Sequence, residues 1–459
     1  MRGVPRRVVG GSIATLGVGA GMLGWFAPLG LDGPGQTGLA ILIAAAALWI
    51  TEAVPLYVTS FVILALAQVW LGPALVEAGS PAPRDAFTSP FFSDIILLFL
   101  GGLSLSAALN KLRYDEQLAR WVIRVSGSSV PLLLAGIMAL SAFLSMFLSN
   151  TATTAMMLTL CLPIARSLKP GDASRKAIIL SVPFAANIGG VGTPIGTPPN
   201  AIAVQYLAQS GDPIGFGRWM LLGIPFVLIM LGVVWATLLL VHRGSRGAVR
   251  LERQAGDSIR VSWRRRLVLV VAVLTVAGWL TGPWHGFSSG TVALLPVIVL
   301  FATGVLDRHD LRGLSWDVLL IMGGGLCLGV VMATSGFAAW FVGHLPTDDV
   351  PAWAVLAVLG VAAAGMSSVM SNTASANLLM PIVLGLGAAA GPEALLTVAF
   401  ACSVAMPLPI STPPNAIAFS SGELTVGDML KPGLIITAVA IVVELTFARA
   451  WWGWVGGFS

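Results

Sequence analysis

Apolar residues run along this chain in long unbroken stretches, not at the spacing of an amphipathic helix or a half-buried strand. A helix crossing about 30 Å of hydrocarbon needs roughly 20 mostly apolar residues. Such stretches run near 9–30, 36–54, 55–72, 91–110, 178–208, 219–241, 267–283, 290–306, 316–335, 394–420 and 432–455. They predict an all-α polytopic membrane protein with about eleven spans. Two further apolar segments, near 129–163 and 351–390, do not fit a single span, and the first is short for two full crossings.

Charge placement decides how to treat them. Lys111, Arg113, Arg120 and Arg124 precede the first odd segment, and Arg166, Lys169, Arg175 and Lys176 follow it. Cytoplasmic loops collect Lys and Arg, so both ends face the cytoplasm and the segment dips in as a re-entrant hairpin. With the N-terminus inside, the basic stretch 242–266 and the pair Arg308/Arg312 also fall inside, and Arg84 is the main exception outside. The second odd segment, bordered by Asp348 and Asp349, then enters from outside, and the C-terminus ends outside behind Trp451, Trp452 and Trp454 as an interfacial anchor. Arg2, Arg6 and Arg7 before an apolar run resemble a signal peptide. No small-residue cleavage site follows, so the segment reads as a retained first helix.

Composition agrees with this picture. Hydrophobic residues make up 56% of the 459 and charged residues only 10%, which excludes an ordinary soluble enzyme. The net charge of +5 comes from cations between spans, and so reports topology and not a nucleic-acid surface. Cys161, Cys327 and Cys402 are far apart, as are His242, His285, His309 and His344. Neither set suggests a disulfide framework, a metal cluster or a nucleophile–base pair.

The chain repeats itself at a spacing near 220 residues. Asp94-Ile-Ile-Leu-Leu with Gly101-Gly102-Leu103 matches Asp317-Val-Leu-Leu-Ile with Gly324-Gly325-Leu326. Ser149-Asn150-Thr151-Ala152 recurs as Ser371-Asn372-Thr373-Ala374, and Thr197-Pro-Pro-Asn-Ala-Ile-Ala203 recurs unchanged as Thr412-Pro-Pro-Asn-Ala-Ile-Ala418. In the orientation above, span 91–110 runs inward and its partner 316–335 outward. The repeats are therefore expected to be inverted, as in many secondary transporters.

The repeated motifs carry the candidate chemistry. An Asn amide is costly in hydrocarbon without partners, and Asn150 and Asn372 sit where each hairpin turns, near the membrane midplane. Consecutive prolines remove backbone donors and force a break at each Thr-Pro-Pro. Such breaks expose carbonyls suited to a cation and helix N-termini suited to an anion. No Lys or Arg occurs between 125 and 165, 177 and 217, 350 and 392, or 394 and 422. An anion site here must rely on hydroxyls, amides, helix ends and bound cations. Moving a dianion inward against about 100 mV costs roughly 4.6 kcal/mol, which two sodium ions cancel and a third converts into a driving force. Glu52, Asp94 and Asp317 lie near span ends, where a cap or interface role is expected.

At the paired Ser-Asn-Thr and Thr-Pro-Pro motifs, and at Trp49-Ile-Thr-Glu-Ala-Val-Pro55, the chain resembles the divalent anion–sodium symporter family over almost its whole length. The resemblance implies a homodimer in which a static scaffold (1–128 and 242–350) holds a moving transport domain (129–241 and 351–459), shifted like an elevator. It places one sodium site on Ser145, Ser149, Asn150 and Gly196, and another on Ser367, Met370, Asn372 and Ser411. Substrate carboxylates would meet Asn150, Thr151, Thr197 and Pro198 from one repeat, and Asn372, Thr373, Thr412 and Pro413 from the other. The expected function is sodium-coupled import of a C4-type dicarboxylate such as succinate, malate or fumarate across the plasma (inner) membrane. The family also holds sodium-independent dicarboxylate exchangers and carriers of sulfate and citrate. The two breaks differ at one position, Gly196 in the first and Ser411 in the second, and the added hydroxyl is a candidate for tuning substrate or cation choice.

Overall fold

Every regular element among the described residues is helical, as the unbroken apolar pattern predicts. The computed structural model describes residues 6–127, 129–244, 262–344, 350–386 and 391–456. Arg2, Asp348, Asp349 and most of the basic stretch 242–266 lie outside them. The chain opens with α1 (Arg6–Met22), α2 (Gly33–Thr51) and α3 (Leu56–Leu66), which continues through a π turn to Glu77. Then come α4 (Asp94–Lys111) and α5 (Tyr114–Val125). The first odd segment is a helix pair, α6 (Val130–Ser145) and α7 (Asn150–Ser167). The first Thr-Pro-Pro splits its span into α8 (Ala173–Gly190) and α9 (Pro198–Gln209). There follow α10 (Phe216–Val241), α11 (Trp263–Leu280), α12 (Ser289–Ala302), α13 (Trp316–Thr334) and α14 (Phe337–Gly343). The second odd segment is the pair α15 (Ala352–Val369) and α16 (Asn372–Leu386), and the second broken span is α17 (Gly391–Val404) with α18 (Pro413–Ser420). The chain closes on α19 (Val426–Val443), a π turn at Glu444–Ala448, and α20 (Arg449–Gly456).

Among the described residues, 7 helices are long and apolar enough to cross a membrane: 33–51, 56–77, 89–111, 216–241, 316–334, 352–369 and 426–455. The other expected spans are interrupted, short or charged at one end: the two Thr-Pro-Pro spans are each cut in two, α1 has 17 residues and α12 has 14, and α11 has three arginines in its first turn. One helix is new. The basic run around Arg120 and Arg124 is not merely a charged loop, because Asp115, Ala119 and Ile123 share a buried face and make α5 amphipathic.

Two compact units emerge from the packing. The first comprises residues 1–96, 201–213 and 315–402. Its centre is the glycine face of α13. A Cβ at Gly324 would lie 2.2 Å from Ser60 Oγ, one at Gly325 1.8 Å from Asn377 Oδ1, and one at Gly329 2.1 Å from Tyr206 Oη. Bare backbone on α13 thus lets three polar side chains come to the helix surface, the device membrane helices use for close approach. Tyr206 Oη donates to Gly325 O at 3.2 Å and Asn377 Nδ2 to Ile321 O at 2.9 Å. Trp49, Ile63, Leu71, Leu328 and Val331 fill the apolar interior beside them.

The second unit comprises residues 97–200, 214–314 and 403–459. Here α6 lies against α8 closely enough that a Cβ on Gly189 would be 2.3 Å from Ala142 Cα. Prolines inside helices leave a carbonyl one turn back without its partner, and this unit repairs two of them with ring nitrogens. Pro225 frees Leu221 O, which accepts Trp451 Nε1 at 2.9 Å, and Pro432 frees Asp428 O, which lies 3.2 Å from His242 Nε2. Ion pairs tie the polar ends: Arg166 and Lys176 reach Glu423 and Asp428 at 2.9 Å each, and Lys111 reaches Asp310 at 2.5 Å. The divisions expected at 128, 241 and 350 concern which parts move, a property separate from packing.

Candidate functional site

The tip of the first hairpin and the first broken helix meet inside the second unit. Ser149 caps α7, its Oγ accepting Ala152 N at 3.1 Å, which fixes the turn that presents Asn150. Ser145, the last residue of α6, donates its hydroxyl to Asn150 Oδ1 across that turn. Thr193 Oγ1 donates to Met146 O and so pins the tip to the break after α8. The Asn150 side chain lies on bare backbone, since a Cβ at Gly190 would be 2.8 Å from its Oδ1. Gly196 lies on the same spot: its own Cβ would be 2.3 Å from Gly190 O. Ser145, Asn150 and Gly196, three residues of the first expected sodium site, are thus brought together around Gly190, and Ser149 stands beside them as the helix cap.

The second hairpin repeats the arrangement in the first unit. Ser367 Oγ lies 2.7 Å from Asn372 Oδ1 and 2.7 Å from Cys402 O. Met370 ends α15 in extended conformation (φ −137, ψ 175) and is buried. Thr373 is buried in α16, whereas its counterpart Thr151 is exposed. Thr412, Pro413 and Ser411 belong to the second unit, together with Asn150, Thr151, Thr197 and Pro198. Thr197, Thr412 and Ser411 are buried, Pro198 half-buried and Pro413 exposed.

Each hydrogen bond has a chemical consequence. The Ser145 hydroxyl on Oδ1 turns its amide so that Nδ2, with two N–H donors, is the free end, and Ser367, sharing one proton between Asn372 Oδ1 and Cys402 O, leaves the same end free. Neither Asn150 Nδ2 nor Asn372 Nδ2 has a hydrogen-bond partner among the described residues. Two uncommitted amide donors, with no Lys or Arg at the hairpin tips, suit an anion bound by neutral groups.

The helix starts behave differently from the expectation. An ordinary helix N-terminus offers unpaired backbone N–H groups to an anion. At α18, Pro413 and Pro414 have no N–H, Asn415 N donates to Thr412 Oγ1 at 3.3 Å, and Ala416 N donates to Thr412 O at 3.1 Å. The motif therefore removes or fills the donors of its first turn, leaving the dipole and the side chains. Donors for an anion here must come from hydroxyls and amides.

The fourth residue of the repeated motif, not among the expected site residues, holds each break in shape. Asn200 Nδ2 reaches Thr193 O at 2.7 Å, Gly190 O at 2.9 Å and Val191 O at 3.3 Å. Asn415 Nδ2 reaches Met406 O at 3.0 Å and Leu408 O at 3.1 Å. Both are fully buried, and each gathers carbonyls in and beside its break. Trp219 Nε1 adds a bond to Val191 O at 3.0 Å. The signal was present in the sequence, since Asn stands at the same place in both copies. The difference between Gly196 and Ser411 also has a cause: Gly190 O leaves no room for a side chain at 196, whereas Ser411 Oγ fits and accepts Leu408 N at 3.1 Å.

No group of His, Cys, Asp and Glu able to hold a metal ion occurs among the described residues. Oxygen donors for a cation are instead hydroxyls, amide oxygens and carbonyls at the hairpin tips.

Comparison with known proteins places these features. The citrate transporter family (CitMHS) matches residues 46–405. The sodium-dependent dicarboxylate transporter SdcS of Staphylococcus aureus is 32% identical over 457 aligned residues, covering 91% of this chain and 86% of that protein. Its namesake from Staphylococcus saprophyticus is 31% identical over the same shares. Among solved structures, the YdaH transporter of Alcanivorax borkumensis aligns with a TM-score of 0.57 at 14% identity, over 87% of this chain and 98% of that one. MtrF of Neisseria gonorrhoeae aligns at 0.54 and 12% identity, over 83% and 85%. At these identities the two structures speak for the fold alone. The paired motifs, the all-helical membrane fold and the relatives agree that this chain is a transporter and not an enzyme, a member of the divalent anion–sodium symporter family matched by the citrate transporter description.

Proposed function

We propose that this protein imports C4-type dicarboxylates such as succinate, malate or fumarate together with sodium ions. The observation that carries the reading is the pair of amide donors at Asn150 and Asn372, each turned outward by a serine on its Oδ1. Each hairpin tip offers one neutral donor group, and the absence of Lys and Arg between 125 and 165 and between 350 and 392 leaves charge balance to co-transported cations. The name of the staphylococcal relatives, sodium-dependent dicarboxylate transporter, supports both substrate class and coupling ion.

In this reading sodium ions bind at Ser145, Ser149, Asn150 and Gly196, and at Ser367, Met370, Asn372 and Ser411. The substrate meets Asn150, Thr151, Thr197, Pro198, Asn372, Thr373, Thr412 and Pro413. The repeats are inverted, the parts 129–241 and 351–459 move as an elevator against 1–128 and 242–350, and two copies form a dimer. The protein lies in the plasma (inner) membrane with its N-terminus cytoplasmic and its C-terminus outside. The pairing of Arg166 with Glu423, Lys176 with Asp428 and Lys111 with Asp310 supports that orientation, because it gathers segments that all belong to the cytoplasmic side in it.

The test is succinate uptake into proteoliposomes holding the purified protein, with an inward sodium gradient against potassium or choline, and with empty or succinate-loaded vesicles. Accumulation in empty vesicles only with sodium is expected, and Asn150→Ala or Asn372→Ala should abolish it. Uptake only into loaded vesicles, indifferent to sodium, would make the protein an exchanger. Failure with succinate but uptake of citrate or sulfate would move it to those substrates.

A further inference from the structure

The two Thr-Pro-Pro threonines share a sequence and differ in their surroundings. Thr412 Oγ1 accepts two N–H groups, Asn187 Nδ2 at 3.1 Å and Asn415 N at 3.3 Å. A hydroxyl has two lone pairs and one proton. With both lone pairs taken, the proton is all that remains, and no acceptor for it occurs among the described residues. Asn187 sits in α8, 1% exposed, and its Nδ2 also lies 3.3 Å from Asn415 Oδ1, so its amide nitrogen faces the break.

Thr197 has no such constraint, since its hydroxyl makes no hydrogen bond among the described residues. At the spacing that aligns Thr197 with Thr412, Asn187 aligns with Cys402. A thiol is a weak donor, and the Cys402 Sγ lies 3.9 Å from Ala363 O. The second repeat therefore has no amide in the place that Asn187 occupies in the first.

We infer that Asn187 fixes Thr412 as a donor-only hydroxyl, making it a contact for a carboxylate oxygen of the substrate and not a ligand for sodium. Asn187 is a positioning residue: it touches Thr412 and acts through it. Thr197, with lone pairs free, keeps both roles open. The inference rests on the proposed placement of Thr412 at the dianion. It adds that the two half-sites are chemically unequal, with specificity for an anion concentrated at the second motif.

The experiment measures succinate KM and half-saturating sodium in proteoliposomes for Asn187→Ala, Asn187→Asp, Thr412→Val, Thr412→Ser and the double variant Asn187→Ala/Thr412→Val. Thr412→Val should raise succinate KM about tenfold, the worth of one hydrogen bond to a charged group. Asn187→Ala should raise it comparably and leave half-saturating sodium within about twofold, because the lost bond concerns the anion alone. The double variant should be no worse than Thr412→Val, and Thr412→Ser should behave as wild type. Asn187→Asp, close in shape and able only to accept, should draw the Thr412 proton to itself and raise KM at least as far. If Thr412→Val raises KM but Asn187→Ala and Asn187→Asp do not, the donor-only assignment is overturned while the site stands. Additive effects, or equal shifts in sodium and succinate, would overturn it as well. Unchanged KM in Thr412→Val would instead remove Thr412 from the dianion site.

Discussion

Ser367 Oγ lies 2.7 Å from Asn372 Oδ1, bridging the break between α15 and α16, and Ser145 meets Asn150 in the same way between α6 and α7. In both pairs the last turn of one hairpin arm sets the amide that begins the next. The serine costs the site nothing as a ligand and decides which end of the amide faces outward.

Removing that hydroxyl frees the amide to rotate. Ser145→Ala and Ser367→Ala are each expected to raise succinate KM about fivefold, corresponding to the roughly 1 kcal/mol of a neutral hydrogen bond. Initial-rate uptake over a succinate series reads this, and unchanged KM in both variants would mean that the pairs do not orient the amides.

Asn200 and Asn415 hold the breaks and do not present donors to a ligand. Asn200→Ala takes the side-chain donor from Gly190 O, and Asn415→Ala takes it from Met406 O, an expected loss of about 1–3 kcal/mol each. Asn→Asp should be no better, because a carboxylate offers no N–H. Thermal unfolding in detergent measures both, and wild-type stability in either alanine variant would show that the carbonyls find other partners.

Gly196→Ala should abolish transport or folding, since the new methyl would meet Gly190 O, a backbone atom that cannot step aside. Ser411→Ala should fold, because it removes the bond to Leu408 N without forcing a new atom against backbone. Size-exclusion profiles of the two variants separate the cases.

Acid should loosen the joint between α10 and α19. His242 is buried and its ring pairs with Asp428 O, and burial holds its pKa below the ordinary 6.5, against the pull of that carbonyl, with Lys176 and Lys431 adding a smaller push downward. In the unfolded chain it protonates first as pH falls, so the folded state binds fewer protons and loses stability below about 6.5. Melting temperatures from pH 7.5 to 5 should fall more steeply for wild type than for His242→Gln, and parallel curves would contradict this.

Glu444 begins the π turn after α19, is 1% exposed, and neither carboxylate oxygen has a hydrogen-bond partner among the described residues. A buried polar group without partners is costly, so Glu444→Leu should raise stability by about 1–3 kcal/mol. If the melting temperature falls instead, this carboxyl has a partner of its own.

Hydrophobic run lengths fixed the class of fold, because a bilayer admits few solutions for long apolar segments. The proline pairs announced both breaks, since Pro cannot continue a helix hydrogen-bond ladder whatever surrounds it, and the α8/α9 and α17/α18 breaks lie where they were expected. The Ser-Asn-Thr copies marked both hairpin turns for a similar reason, a polar amide in an apolar run. Local chemistry of this kind is written in the residues themselves. Other features depend on which segments meet. That α18 starts without a free backbone donor follows from the prolines, yet that Thr412 becomes donor-only follows from Asn187, which is 225 residues away in sequence. Likewise Gly196 and Ser411 look like a simple substitution until Gly190 O is found against the one and Leu408 N donating to the hydroxyl of the other. The sequence by itself determined where helices run, stop and turn polar, because those choices depend on neighbours along the chain. Only the tertiary structure decided which lone pairs and protons remain free, because a hydrogen bond is spent on whatever lies nearest in space.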